Sequence, residues 1–188
     1  MTVEPIAPHI LRIPPVDEPL SSDAFIIEGD VRYYVYDVGA SEEAYEVISA
    51  LDKPVTVILS HFHRDHTANM ARLTPAETLV GARTRRQLGL GTLVDKPLTI
   101  RDGVGLLVQP CVSPHAPGCL IVTVDGMHTL IGDLHYAQPG RGQGEAKGMW
   151  NQLRTLRTEA FIVSHAEGDP VIPKQQLLQD VAERYGLA

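Results

Sequence analysis

The sequence predicts an α+β protein built as a four-layer αββα sandwich, and three observations predict it. Short apolar segments of strand length recur along the chain, longer segments with helical spacing are interspersed with them, and the strands come in two batches. Two batches of strands, each followed by helices, suit two sheets packed face to face with helices outside better than one doubly wound parallel sheet. A length of 188 residues with 44% hydrophobic and 21% charged content matches one globular domain spanning 1–188.

Taken in order, residues 1–20 form a proline-rich extended segment. It lacks the basic start and apolar stretch of a secretory signal, which sets the expectation of a cytoplasmic protein. Runs 24–27 and 32–36 read as strands, joined through Glu28-Gly29-Asp30 as antiparallel neighbours. Residues 42–51 have helical spacing, with Ser41 as N-cap and Glu42 and Glu43 in the first turn. Strands follow at 55–59 and 78–80, and Arg83, Arg85 and Arg86 then read as the solvated face of a short helix. Runs 105–108, 120–124 and 129–131 are further strands, the last two joined at Val124-Asp125-Gly126. Residues 138–144, with Pro139, Gly140, Gly142 and Gly144 around Arg141, have no regular pattern and read as a mobile loop placed to act as a substrate lid. A helix at 145–157, a strand at 160–163 and a helix at 174–185 complete the chain.

Composition excludes several classes. No apolar run approaches the roughly 20 residues that span a bilayer, so no membrane partner is expected. A net charge of −7 argues against nucleic acid, whose phosphates are bound mainly by clustered Lys and Arg. Cys111 and Cys119 are too few for a disulfide framework and lack metal-knuckle spacing, so both read as small core residues.

The chemistry is carried by Ser60-His61-Phe62-His63-Arg64-Asp65-His66, directly after the strand 55–59. On a loop at a strand end, His61 and His63 can point to one centre while Asp65 and His66 turn to a second. Borderline cations favour such imidazole nitrogens and carboxylate oxygens. Further ligands belong at later strand ends, and each is found: His115 in Ser113-Pro114-His115-Ala116-Pro117-Gly118, Asp133 in Ile131-Gly132-Asp133, and His165 in Val163-Ser164-His165. Alone, either histidine reads as partly buried packing; with the first motif they read as ligands. His9 and His128 read as surface residues, and His135, two residues past Asp133, as a neighbour of the site.

This set, His-x-His-x-Asp-His, a histidine in Pro-His-x-Pro-Gly, an aspartate in Gly-Asp and a last histidine after a strand, resembles the metallo-β-lactamase superfamily from about residue 23 to 165. Asp37 in Tyr36-Asp37-Val38-Gly39 resembles that superfamily's early Asp-x-Gly turn, which supports the metal loop without binding metal. The resemblance implies a sandwich of the metallo-β-lactamase type. It assigns His61, His63 and His115 to a first metal and Asp65, His66 and His165 to a second, with Asp133 bridging. It also implies two divalent ions, zinc first, with iron or manganese as glyoxalase II-like members accept. A shared hydroxide would then attack an ester, thioester or lactone, oriented by Asp65. Tyr136, three residues after Asp133, resembles the tyrosine with which acyl-homoserine lactonases bind the lactone carbonyl, an oxyanion donor.

The chain departs from the family's pattern at Ala116, where threonine is common, and at Ser164, where glycine is. It also lacks the helical C-terminal domain of glyoxalase II enzymes, which counts against that activity. A phosphodiesterase or nuclease of the same fold and a mono-iron persulfide dioxygenase are the alternative reactions, and a binding module with an inherited metal site is the non-enzymatic one. His63 stands where flavodiiron relatives carry glutamate. The expected partner is a small molecule, with a homodimer left open. Its specificity is expected from loops 29–30, 83–92 and 138–144.

Overall fold

The computed structural model describes residues 3–136 and 142–187 of the chain. The first sheet contains β1 (Glu4–Ala7), β2 (Ile10–Ile13), β3 (Ala24–Glu28), β4 (Tyr33–Tyr36), β5 (Val55–Ile58), β6 (Glu77–Val80) and β7 (Thr92–Leu93), paired in that order. The second contains β8 (Leu98–Arg101), β9 (Gly105–Cys111), β10 (Cys119–Val124), β11 (His128–Gly132), β12 (Ala160–Val163) and β13 (Val171–Pro173), again paired in sequence order. Five α-helices accompany them: α1 (Glu42–Ser49), α2 (Arg64–Thr67), α3 (Ala82–Leu88), α4 (Gln143–Thr155) and α5 (Lys174–Tyr185).

The connections follow from strand direction. Turn-linked neighbours such as β3 with β4 and β10 with β11 are antiparallel. The parallel pairs are β4 with β5, β5 with β6, β6 with β7 and β11 with β12. Each of these has at least one helix between its strands, because a parallel partner needs a crossover long enough to return the chain. Helices therefore alternate with strands inside each batch, rather than following them as the sequence suggested.

Strand periodicity divides the apolar residues among three cores. In β3, Phe25 and Ile27 join Tyr36, Ile58, Leu120, Val122 and Ile162 between the two sheets. Ala24 and Ile26 point the other way, packing with Val57 and Leu59 against Ala44 and Ile48 of α1. On the far side, Ile121, Ile131 and Phe161 meet Met149 and Leu153 of α4 and Leu177 and Val181 of α5. The layers are thus αββα, and strands covered on both faces read as unbroken apolar runs.

Ser41 caps α1 as expected, its Oγ accepting from the Ala44 amide at 3.2 Å. All eight predicted strands overlap observed ones. Within the proline-rich segment 1–20, Glu4–Ala7 and Ile10–Ile13 form β1 and β2, with β1 on the edge of the first sheet. An edge strand tolerates Pro5 because its unpaired side needs no donor. Strand β8 also escaped, being mostly exposed, with little apolar signal. Residues 137–141, most of the expected lid, lie outside the described residues, while 143–144 already belong to α4. Among the described residues no helix is long and apolar enough to cross a membrane.

Candidate metal centre

Strand direction brings one set of ends to a single edge of the sandwich. The C-terminal ends of β4, β5, β11 and β12 lie there, together with the start of β3 and the β9–β10 turn. Asp37, the segment 60–66, Asp133, His165, Asp23 and His115 follow or precede those ends directly.

All seven predicted ligands meet at this edge in two groups. In the first, His61 Nε2 lies 2.9 Å from His63 Nδ1 and 3.2 Å from His115 Nε2, and the latter two are 3.0 Å apart. In the second, His66 Nε2 is 3.1 Å from Asp133 Oδ2 and 3.5 Å from Asp65 Oδ2, while His165 Nε2 is 3.1 Å from Asp65 Oδ2. Asp133 Oδ2 also lies 3.6 Å from His115 Nε2, so this carboxylate stands between the groups.

The protonation pattern explains what the first group is built for. Ser60 Oγ donates to Asp37 Oδ2 at 2.6 Å, so its contact with His61 Nδ1 at 2.9 Å is one it accepts. His61 therefore carries its proton on Nδ1 and turns a lone pair inward from Nε2. Burial, and then the surrounding imidazoles, push its pKa far below the ordinary histidine value. Burial is also the main cause that lowers His115. With His61 Nε2 unprotonated, three nitrogens converging this closely leave lone pairs facing one centre, as a cation requires. A tetrahedral ion about 2.0 Å from each would set them about 3.3 Å apart, close to what is seen.

The second group favours positive charge. His66 Nδ1 donates to Asp37 Oδ2 at 2.7 Å, which directs its Nε2 toward Asp133. Burial opposes a charge on His66, but Asp37 and Asp133 outweigh it and hold its pKa up at about 10. Burial would likewise raise Asp133 and Asp65, yet hydrogen bonds from His66 and His165 leave both below the usual carboxylate range. The hydrogen bond to Asp65 raises His165 against its burial. Asp133 Oδ1 is buried without a partner. Two inward-facing donor sets, a shared carboxylate and an orphaned carboxylate oxygen fit a pair of metal ions.

Two supporting residues escaped the sequence reading. Asp23 Oδ2 accepts from the His165 amide at 2.7 Å, and Asp23 Oδ1 accepts from Arg12 Nε. Arg12 also donates to the carbonyls of Gly168 and Ala166 at 2.9 and 3.0 Å. This buried pair clamps the turn that carries His165, whose φ of 58° lies in the left-handed region. The one signal was an arginine inside the apolar strand 10–13; its partner, eleven residues away, is not legible from spacing.

Tyr136 is 37% exposed beside the site, and its hydroxyl donates to the Ser164 carbonyl at 2.8 Å. His135 is buried, which together with Arg184 lowers its pKa to about 4. Loop 29–30 is a correction: it joins the ends of β3 and β4 remote from the metal edge and packs on Asp102 instead. A cavity of about 960 Å³ opens beside His165, between residues 14–17 and 166–170, which the sequence reading had not assigned to specificity.

No known family profile matches the chain, and no curated protein matches it by sequence. Solved structures do match. The DIM-1 metallo-β-lactamase superposes with a TM-score of 0.77 at 14% identity, covering 97% of this chain and 95% of that one. A motif mutant of a metallo-β-lactamase from Cronobacter sakazakii gives 0.75 at 16%, covering 98% and 94%. The inverting sec-alkylsulfatase Pisa1 from Pseudomonas sp. gives 0.76 at 15%, covering 97% of this chain; the chain spans only 40% of that protein's length. The chain has the metallo-β-lactamase fold.

Proposed function

We propose that the protein is a dinuclear metal-dependent hydrolase acting on an ester, thioester or lactone. The observation that carries this reading is the pair of donor sets sharing Asp133 at one edge of a metallo-β-lactamase fold. His61, His63 and His115 would hold one ion, Asp65, His66 and His165 the other, and Asp133 both. Zinc suits this imidazole and carboxylate set first, with iron or manganese as alternatives. Bound there, divalent ions would supply Lewis acidity to a carbonyl oxygen and lower the pKa of a nearby water.

The chain's own residues do the rest. Asp65, ionised and held by His165 through one oxygen, orients the attacking water and accepts its proton. Water adds to the acyl carbon, the bond to the alkoxide or thiolate breaks, and the leaving group takes up a proton. Tyr136 reaches a developing oxyanion by exchanging its present acceptor, the Ser164 carbonyl. Asp37 and Ser60 keep His61 and His66 in the tautomers that turn Nε2 inward.

The test is elemental analysis of protein purified without added metal, with a screen of thioester, lactone, carboxylic ester and phosphodiester substrates. About two zinc, iron or manganese ions per chain with turnover of an acyl substrate supports the reading. Turnover confined to phosphodiesters moves it to a phosphodiesterase. A single iron with no hydrolysis overturns it in favour of oxygen chemistry.

A further inference from the structure

Arg83 is separated from the first donor set by the Phe62 ring and lacks a carboxylate partner among the described residues. Helix α3 begins where two turns touch: a Cβ on Gly81 would collide with the carbonyl oxygen of Gly118, and one on Gly118 would lie 2.8 Å from the Arg83 amide nitrogen. This contact locks the start of α3 against the turn that carries His115. The Arg83 guanidinium lies 5.8 Å from the centre of the Phe62 ring, and that ring in turn lies 5.0 Å from the ring of His63. Among the described residues Arg83 has no hydrogen-bond acceptor and no carboxylate partner, and its Nε is buried without one. Arg85 and Arg86 on the same helix are exposed. Packing against the Phe62 ring rather than ion pairing therefore holds Arg83, and its buried Nε lacks an acceptor that a bound anion could supply.

We infer that Arg83 recognises an oxyanion, a carboxylate or sulfate, carried by the substrate on the far side of the Phe62 ring from the His63 donor. The guanidinium fork matches two oxygens of either group. The inference rests on the hydrolase reading only for the reacting bond. Arg83 selects among substrates and takes no part in bond cleavage.

The experiment compares mono-4-nitrophenyl glutarate, which is anionic, with neutral 4-nitrophenyl butyrate, for the wild type, R83Q and R83K. Glutarate and inorganic sulfate binding are measured by calorimetry on the same proteins as purified, with metal content determined for each. In R83Q the preference for the anionic ester should fall about tenfold or more, through KM, with glutarate or sulfate affinity falling alongside. R83K should recover part of both. The stronger of the two anions identifies the group. Unchanged anion affinity in R83Q at equal metal content, or no binding of either anion by the wild type, overturns the assignment. If neither ester turns over but anion affinity still falls in R83Q, the ester-hydrolase reading fails and Arg83 keeps its role.

Discussion

Asp37 is fully buried, yet it sets the direction of two donors by accepting from His66 Nδ1 and Ser60 Oγ. Its φ of 59° is one that asparagine tolerates, so Asp37→Asn tests the charge without straining the turn. Metal affinity should fall about 10- to 100-fold with the fold intact, because partners of this kind fix ligand tautomers. Competition with a chromogenic chelator reads this, and equal affinity would remove Asp37 from the account. His63→Ala and Asp133→Ala should each abolish hydrolysis and lower metal content, and full activity in either would sink the site. The thiols behave differently. Burial pushes Cys119 up to about 12 from an ordinary 9.0 and raises Cys111 as well. Both folded-state values are raised, so their contribution to stability is complete below pH 9 and is lost as pH rises from there toward 12. In the native protein at pH 8, neither thiol should react with a thiol-specific disulfide reagent, whereas both should react after unfolding; rapid native labelling would contradict their burial.

At the scale of elements, the turns decide where ligands sit. The β6–α3 turn and the turn after His115 approach through Gly81 and Gly118, and Gly81 has an ordinary φ of −75°. Its requirement is space, not backbone freedom. Gly81→Ala should therefore cost about 1–3 kcal/mol, as overpacking does, and should displace His115 enough to lower metal content. Thermal unfolding and elemental analysis check the two effects, and a variant matching the wild type in both would show that the turns are free to separate. The Arg12–Asp23 pair acts the same way on the other flank, tying the start of β3 to the turn that carries His165.

Across the whole molecule, each donor set spans the sandwich. His61, His63, Asp65 and His66 leave the first sheet, while His115, Asp133 and His165 leave the second. Internal hydrogen bonds make the same crossing, among them those from the Tyr36 hydroxyl to the Leu120 carbonyl and from the Leu120 amide to the Ser60 carbonyl, both at 2.8 Å. Ions held by both sheets would bind the folded state alone, and saturation at 100 times Kd would add about 2.7 kcal/mol. Removing metal with a chelator should lower Tm by about 5–10 °C, given about 2–4 °C per kcal/mol at this size. Calorimetry with and without restored zinc measures it. An unchanged Tm would mean that the ions do not join the sheets.

The convergence of residues 60–66, His115, Asp133 and His165 was legible because histidines and carboxylates at successive strand ends stand out, and the strands themselves showed as apolar runs. The sequence by itself therefore determined the layer architecture, eight of the strands and the seven residues that gather at one edge. Tertiary structure alone decided the rest. Strand β2 forms on the hydrogen bonds that β3 offers it, and β1 on those of β2, which local composition does not reveal. The pairing of Arg12 with Asp23, the glycine contact that sets Arg83, and the loops that face the site all depend on which strand ends share an edge. Strand direction and register fix that edge, and both arise from long-range pairing that spacing along the chain does not encode.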